Sequence, residues 1–185
     1  MLGFGGGATL ISVMTIFMPV SSIIPVHALV QLGSNGSRMW LMREHILVRY
    51  IPYFVLGAVI VSLVGGQVAI NLEVHTLEIF LGVFILYSCW SPVKLKCANG
   101  KSISLLGFVT SFLTMFVGAS GPFVIATMKS VISDRQKLVA TQAAFMTCQH
   151  VIKAVVFGLL GFQFLDWFGL FFNDVGELFG FLYWF

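Results

Sequence analysis

A hydrophobic segment broken by glycines occurs twice in this chain. The first copy reads Gly3-Phe4-Gly5-Gly6-Gly7-Ala8-Thr9 and runs on through apolar residues; the second reads Gly118-Ala119-Ser120-Gly121-Pro122 and does the same. About twenty residues later each copy reaches a helix start with a central alanine. These are Pro25-Val26-His27-Ala28-Leu29 and Lys137-Leu138-Val139-Ala140-Thr141. Such a duplication is a strong constraint, because irregular backbone within an apolar environment is tolerated only where it is buried or lines a cavity. Two interrupted segments are the pattern of a fold built from two repeats with a site at the breaks.

The environment of the breaks follows from composition. Of 185 residues, 58% are hydrophobic and 9% charged, against about 25% charged in soluble domains. So few charges cannot cover a water-facing surface, which makes lipid the solvent. Five stretches are long and nearly uncharged: Met1–Ser37, Tyr50–Leu72, Val74–Val93 (with Glu78), Ser102–Met128 and Leu138–Leu165 (with Lys153). A membrane span needs about 20 apolar residues. As one straight helix Ser102–Met128 would reach about 40 Å, too long for a span, and the Gly118–Pro122 break divides it. Met1–Ser37 is longer still and is divided by Pro19 and Pro25.

The net charge of +3 is no sign of a nucleic-acid partner, because the basic residues sit in short loops between apolar stretches, where they set orientation. The loops are Arg38, Arg43 and Arg49; Lys94, Lys96 and Lys101; and Lys129, Arg135 and Lys137. With all three in the cytoplasm, residues 25–41 run inward, 50–70 outward and 76–92 inward. Segment 103–130 must then return to the side it came from, as a re-entrant hairpin turning at Gly118–Pro122. Residues 138–160 run outward and 167–185 inward. A hairpin plus three spans is an odd unit, which inverts the two repeats; the competing reading is one kinked span over residues 103–130 with parallel repeats. The fold expected is an all-α polytopic membrane protein whose two inverted repeats bring glycine-broken half-helices together near the midplane. Residues 1–92 form the first repeat, 93–101 a cytoplasmic basic loop and 102–185 the second. An arm before Met1 and a last span after the aromatic tail Phe171–Phe185 are missing from the pattern, which reads as a piece of a longer reading frame.

A helix that starts inside the membrane presents free main-chain N–H groups and a partial positive charge, a ready site for an anion. Gly5, Gly6, Gly7, Gly118, Ala119, Ser120 and Gly121 would let an anion approach the backbone closely, and Pro122 suits the first position of the half-helix. The competing reading is close helix packing, as in Gly3-xxx-Gly7. Repeat alignment pairs Arg38 with His150. His150 and Lys153 are three residues apart and share a helix face, at a depth where ionisable groups are costly and face a cavity or partner. Against that, Lys153 can snorkel to the interface and Arg38 can be a loop anchor, while His150 is either an ordinary buried histidine or a proton-coupling group. Gln31, Asn35, Gln142 and Thr147 add neutral polar groups, which suit an anion that must also leave. A proton or another ion is the candidate coupling partner.

Other chemistry finds no support. Gly3-x-Gly5-x-x-Ala8 follows no strand, as a dinucleotide loop would. The histidines at 27, 45, 75 and 150 lack metal spacing, and Cys89, Cys97 and Cys148 read as packing residues. No nucleophile, base and acid cluster, so no enzyme and no cofactor are expected. No basic region precedes the first apolar run, so there is no signal-peptide pattern.

With these residues in order, the chain resembles the sulfite exporter TauE/SafE family over about residues 1–165. The matching stretches are Gly3–Gly7 with its proline-terminated run, Ala28-Leu29-Val30-Gln31-Leu32, and Arg43-Glu44-His45-Ile46 leading to Gly57 and Gly65-Gly66. Further on they are Gly107-Phe108, Gly118–Pro122 and Ala140-Thr141-Gln142. The run from Thr9 to Pro19 departs from it, because the family often places a proline sooner after the glycines. The resemblance implies a multi-pass inner-membrane permease for small anions: sulfite, sulfonates or related carboxylates. The alternative class is a non-transporting membrane assembly or accessory protein, which would tolerate loss of the glycine breaks and of Lys153. Oligomeric state is open.

Overall fold

The computed structural model describes residues 6–71, 99–117 and 120–167, with positions 76, 79 and 83 between them. The described residues form six helices. Helix α1 (Gly6–Phe17) stops before Pro19, because a residue preceding proline is driven out of helical conformation. Helix α2 (Val20–Leu41) starts directly after it. Pro25 therefore lies inside α2 and does not begin it, contrary to the sequence reading. Its missing N–H forgoes only the bond to the carbonyl of Ser21, an exposed residue of the first turn.

Two short 3-10 turns, Arg43–His45 and Val48–Tyr50, lead into α3 (Ile51–Asn71). Helix α4 (Gly100–Val117) starts beside Asn99, whose Oδ1 accepts from the main-chain N–H and hydroxyl of Ser102 at 3.0 and 2.8 Å. After the break comes α5 (Gly121–Met128), with Ser120 at its N-cap. Pro122 thus takes the second helical position, not the first, at no cost, since that N–H also has no partner within the helix. Helix α6 (Arg135–Leu159) begins at Arg135, just ahead of the expected Lys137–Leu138, because Asp134 caps it. The Asp134 carboxylate accepts from the Lys137 N–H at 2.9 Å, and that bond holds the carboxyl below its usual range.

Among the described residues, no helix is long and apolar enough to cross a membrane. The long apolar stretches are divided: α1 has 12 residues and α5 only 8, and α2 and α6 each give one face to polar side chains.

Helix α6 is central, with α2, α3 and α5 against it. Two apolar clusters mark its two ends. One gathers Ile11, Met14, Ile23, Ile24, Val26, Met115 and Phe157. The other gathers Phe54, Ala58, Ile103, Leu106, Val124, Met128, Ile132, Leu138, Phe145 and Met146, with the Phe54 and Phe145 rings stacked at 4.2 Å. Between the clusters each long helix changes character. Along α4, Leu106 gives way to Thr110, Ser111 and Thr114 before Met115; along α6, Met146 gives way to Gln149, His150 and Lys153 before Phe157; along α2, Val26 gives way to His27. All of these polar residues are buried.

This order fixes directions. Helices α3, α4 and α6 start at the second cluster. Helix α4 crosses the polar layer and ends just beyond it, with Met115 in the first cluster, and α5 leads from Ser120 back to Met128 at the second cluster, so the chain returns toward the end where α4 began. Helix α1 leads from Gly7 to Ile11 and Met14 in the first cluster. The two short helices thus leave the polar layer in opposite directions.

Candidate functional site: a buried polar layer at two helix starts

On the α1 side the layer is built on α2. His27, Gln31 and Asn35 are spaced by four and occupy one helix face. The buried His27 has its Nε2 3.1 Å from the Gly7 carbonyl oxygen and 3.2 Å from the Gln31 amide nitrogen. Asn35 Nδ2 donates at 2.9 Å to both the main-chain oxygen and the side-chain Oε1 of Gln31. A Cβ placed on Gly7 would lie 2.7 Å from Gln31 Nε2 and 3.6 Å from His27 Nε2. The first helix start therefore faces an imidazole and an amide.

On the α5 side the layer joins α4 and α6. Ser120 donates to Gln149 Oε1 at 3.0 Å and accepts from the Thr114 hydroxyl at 3.2 Å. Gln149 Nε2 donates to Ser111 at 2.8 Å. These bonds hold the break against α6. A Cβ on Gly121 would lie 3.3 Å from Gln142 Nε2, so the second helix start also faces an amide from a neighbouring helix.

Lys153 is completely buried and donates to the main-chain oxygen of Thr114. Snorkelling is thereby excluded: the ammonium lies inside the protein. Thr114 is in the last turn of α4, whose carbonyls have no N–H partner within the helix, and a cation there complements the negative helix end. The broken segment thus has a lysine at the end of its first arm and a serine and glycine at the start of its second.

Three buried polar atoms of the layer have no hydrogen-bond partner among the described residues: His27 Nδ1, His150 Nδ1 and Gln142 Oε1. The two imidazoles meet edge to face, with ring centroids 6.0 Å apart. Buried polar groups are almost always paired, and these three atoms lie near two helix starts and a lysine.

The sequence-predicted residues divide accordingly. Gly7, Ser120, Gly121, Gln31, Asn35, Gln142, His150 and Lys153 take part in the layer. Thr147 is buried but turns its hydroxyl back to the Ala143 carbonyl at 2.8 Å. Arg38 is half-buried in the last turn of α2, where a cation suits the helix end, and no hydrogen bond of the layer reaches it. Its pairing with His150 came from alignment alone. Gly6 opens α1, while Gly5, Gly118 and Ala119 lie outside the described residues, as do Cys89 and Cys97.

Sequence reasoning missed His27 and Gln149. Histidines were tested for metal spacing, which His27 lacks. The signal that finds it is the stripe His27, Gln31, Asn35 at steps of four along α2. Gln149 and Lys153 make the same step on α6. No group of three or more potential metal ligands occurs among the described residues.

Comparison with known proteins gives one result. A family model described as Sulfite exporter TauE/SafE matches residues 1–182. No curated protein and no solved structure matches the chain.

Proposed function

We infer the function from the premise that this chain belongs to the sulfite exporter TauE/SafE family. The membership makes it a membrane transporter, of a family that moves sulfur anions. The finer reading is a multi-pass permease of the inner membrane that binds a small sulfur or organic anion, such as sulfite or a sulfonate, in the polar layer.

The observation that carries this reading is the convergence of two helix starts, at Gly7 and Gly121, on one buried layer that holds Lys153 and three unpartnered polar atoms. Each helix start offers unpaired N–H groups. Lys153 offsets the cost of bringing a negative charge to this depth, and small residues at both breaks leave the backbone open. Helices α1 and α5 leaving the layer in opposite directions support the inverted-repeat arrangement. In such a fold, rocking one repeat against the other exposes a fixed site to each side in turn.

The layer is flanked by apolar clusters on both sides, which supports a site closed to water in this conformation. Moderate affinity is a requirement, since an anion bound too firmly would not leave. Neutral donors such as Gln31 and Gln149 meet it better than a ring of fixed charges would.

The test is uptake of radiolabelled sulfite and methanesulfonate by proteoliposomes carrying the full chain. Saturable uptake, competed by the other anion and lost in Gly121→Val, is the expected result. Uptake no faster than in empty liposomes would remove the assignment.

A further inference from the structure

His27 stands between two partners that require opposite states of the same ring nitrogen. The Gly7 carbonyl, 3.1 Å from Nε2, can only accept, so this bond requires a proton on Nε2. Gln31 presents its amide nitrogen to Nε2 at 3.2 Å, and that bond requires Nε2 to be bare.

The Gln31 orientation is not arbitrary. Asn35 uses one side-chain atom to reach both the main-chain oxygen and Oε1 of Gln31. A main-chain oxygen never donates, so that atom is the Asn35 amide nitrogen. Gln31 Oε1 therefore faces Asn35, and its NH2 faces His27. A neutral ring satisfies one partner and abandons the other. Meanwhile Nδ1 is buried and unpartnered.

With the single proton of the neutral ring on Nε2, Gly7 is served and Nδ1 is bare, and a second proton can add only at Nδ1. With protons on both nitrogens, Nε2–H donates to the Gly7 carbonyl and Nδ1–H becomes a buried donor that needs an acceptor. An anion in the polar layer is that acceptor. The ionisable groups nearest the ring are His150, 6.0 Å away between centroids, and Lys153, one turn further along α6. Both are on α6; α1 and α4 contribute none among the described residues. A second cation beside Lys153 is unfavourable in an empty layer and favourable once an anion lies between them.

We propose that His27 is the proton-binding group of the transporter: anion and proton enter the layer together, the proton on the imidazole and the anion on Nδ1–H, and leave together. The proton comes from water on the loading side, adds to the neutral ring and is released to water on the other side, so one proton accompanies each anion. This proposal rests on the polar layer being the anion site. Gln31 is the positioning residue, since its NH2 turns the positive end of the amide toward Nε2 and so favours the neutral ring over the cation.

The experiment uses methanesulfonate, whose charge is constant from acid to neutral pH, unlike that of sulfite. Proteoliposomes carrying the full chain and a lumenal pH dye report anion and proton movement together. The wild type should move one proton per methanesulfonate, and acid outside should drive accumulation. His27→Gln should still exchange labelled for unlabelled methanesulfonate, more slowly, with proton movement reduced at least tenfold. His150→Gln should keep the one-to-one ratio. Gln31→Met removes the competing donor and should shift half-maximal proton uptake to higher pH, which also serves if His27→Gln does not fold. Methanesulfonate movement without protons in the wild type would overturn the proposal and leave the anion site standing. A wild-type ratio retained by His27→Gln, or an unshifted pH profile in Gln31→Met, would also overturn it. Absence of any methanesulfonate exchange by the wild type would overturn the anion site itself.

Discussion

At the crossing of α3 and α4, main chain meets main chain. A Cβ on Gly57 would collide with the Ser104 carbonyl oxygen, and one on Gly107 with that of Phe54. At the starts of α1 and α5, Gly7 and Gly121 meet the ends of flexible side chains, the amides of Gln31 and Gln142. The first pair are small residues that let two helices touch, as in membrane helix packing generally. The second pair have side-chain amides packed in front of them. Packing and site roles for a glycine thus imply different neighbours. What the neighbour can do decides: a carbonyl in a helix cannot move aside, whereas an amide on a long side chain can.

The largest effect is expected at the crossing. Gly57→Val or Gly107→Val should separate α3 from α4 at a cost at or above the upper end of ~1–3 kcal/mol, the usual range for overpacking. Thermal unfolding in detergent measures it. Midpoints equal to wild type would mean that the two helices do not cross so closely.

Next come the breaks. Gly121→Ala should leave the unfolding midpoint nearly unchanged, because a small shift of the Gln142 amide makes room, and Gly7→Ala should lower it slightly, because displacing Gln31 disturbs its bonds to His27 and Asn35. Each should weaken sulfite binding about tenfold, or ~1.4 kcal/mol. A lowered midpoint with unchanged binding would return these glycines to the packing class and erase the distinction.

Lys153→Met sharpens the contrast further, since Lys153 both caps α4 and faces the layer. Loss of a charge-assisted bond predicts a half-saturating anion concentration raised by the equivalent of ~1–3 kcal/mol. Lys153→Arg should keep the charge and alter the preference between sulfite and carboxylates, because a planar fork pairs differently with them. Equal half-saturation in Lys153→Met and wild type would confine the lysine to helix capping.

The smallest effect is at Asp134, outside both regions. Its folded carboxyl ionises more readily than the unfolded one, so the stability it contributes is present above about pH 4, the unfolded value, and fades as pH falls through the lower folded value. Asp134→Ala should lower the midpoint slightly at neutral pH, the gap closing in acid, and Asp134→Ser should restore part of it. A gap independent of pH would show that the carboxylate is not the cap.

Much of this was legible in the sequence, and the failures have physical causes. The end of α4 before a new helix start at Gly121, and a buried Lys153, accord with the apolar length and helical spacing of the sequence. Pro25 was misjudged because a proline in the first turns of a helix forfeits one bond to an exposed carbonyl and need not start the helix. Lys153 left two outcomes open, since a long side chain can reach water or a carbonyl, and only the position of Thr114 chooses between them. Arg38 rests on repeat alignment alone, and its place in the last turn of α2 suits a cation at a helix end. Gly57 and Gly107 could be noticed as glycines but not paired, because the crossing point of two helices is not encoded in either one alone.

The central claim is that the two helix starts bind one anion between them. Equilibrium binding of radiolabelled sulfite to the purified full chain tests it, with wild type, Gly7→Ala, Gly121→Ala and the double variant compared. The expected result is one saturable site per chain, weakened by each substitution, with the loss in the double variant differing from the sum of the single losses, as for groups that share a ligand. Wild-type affinity in all three variants would contradict it.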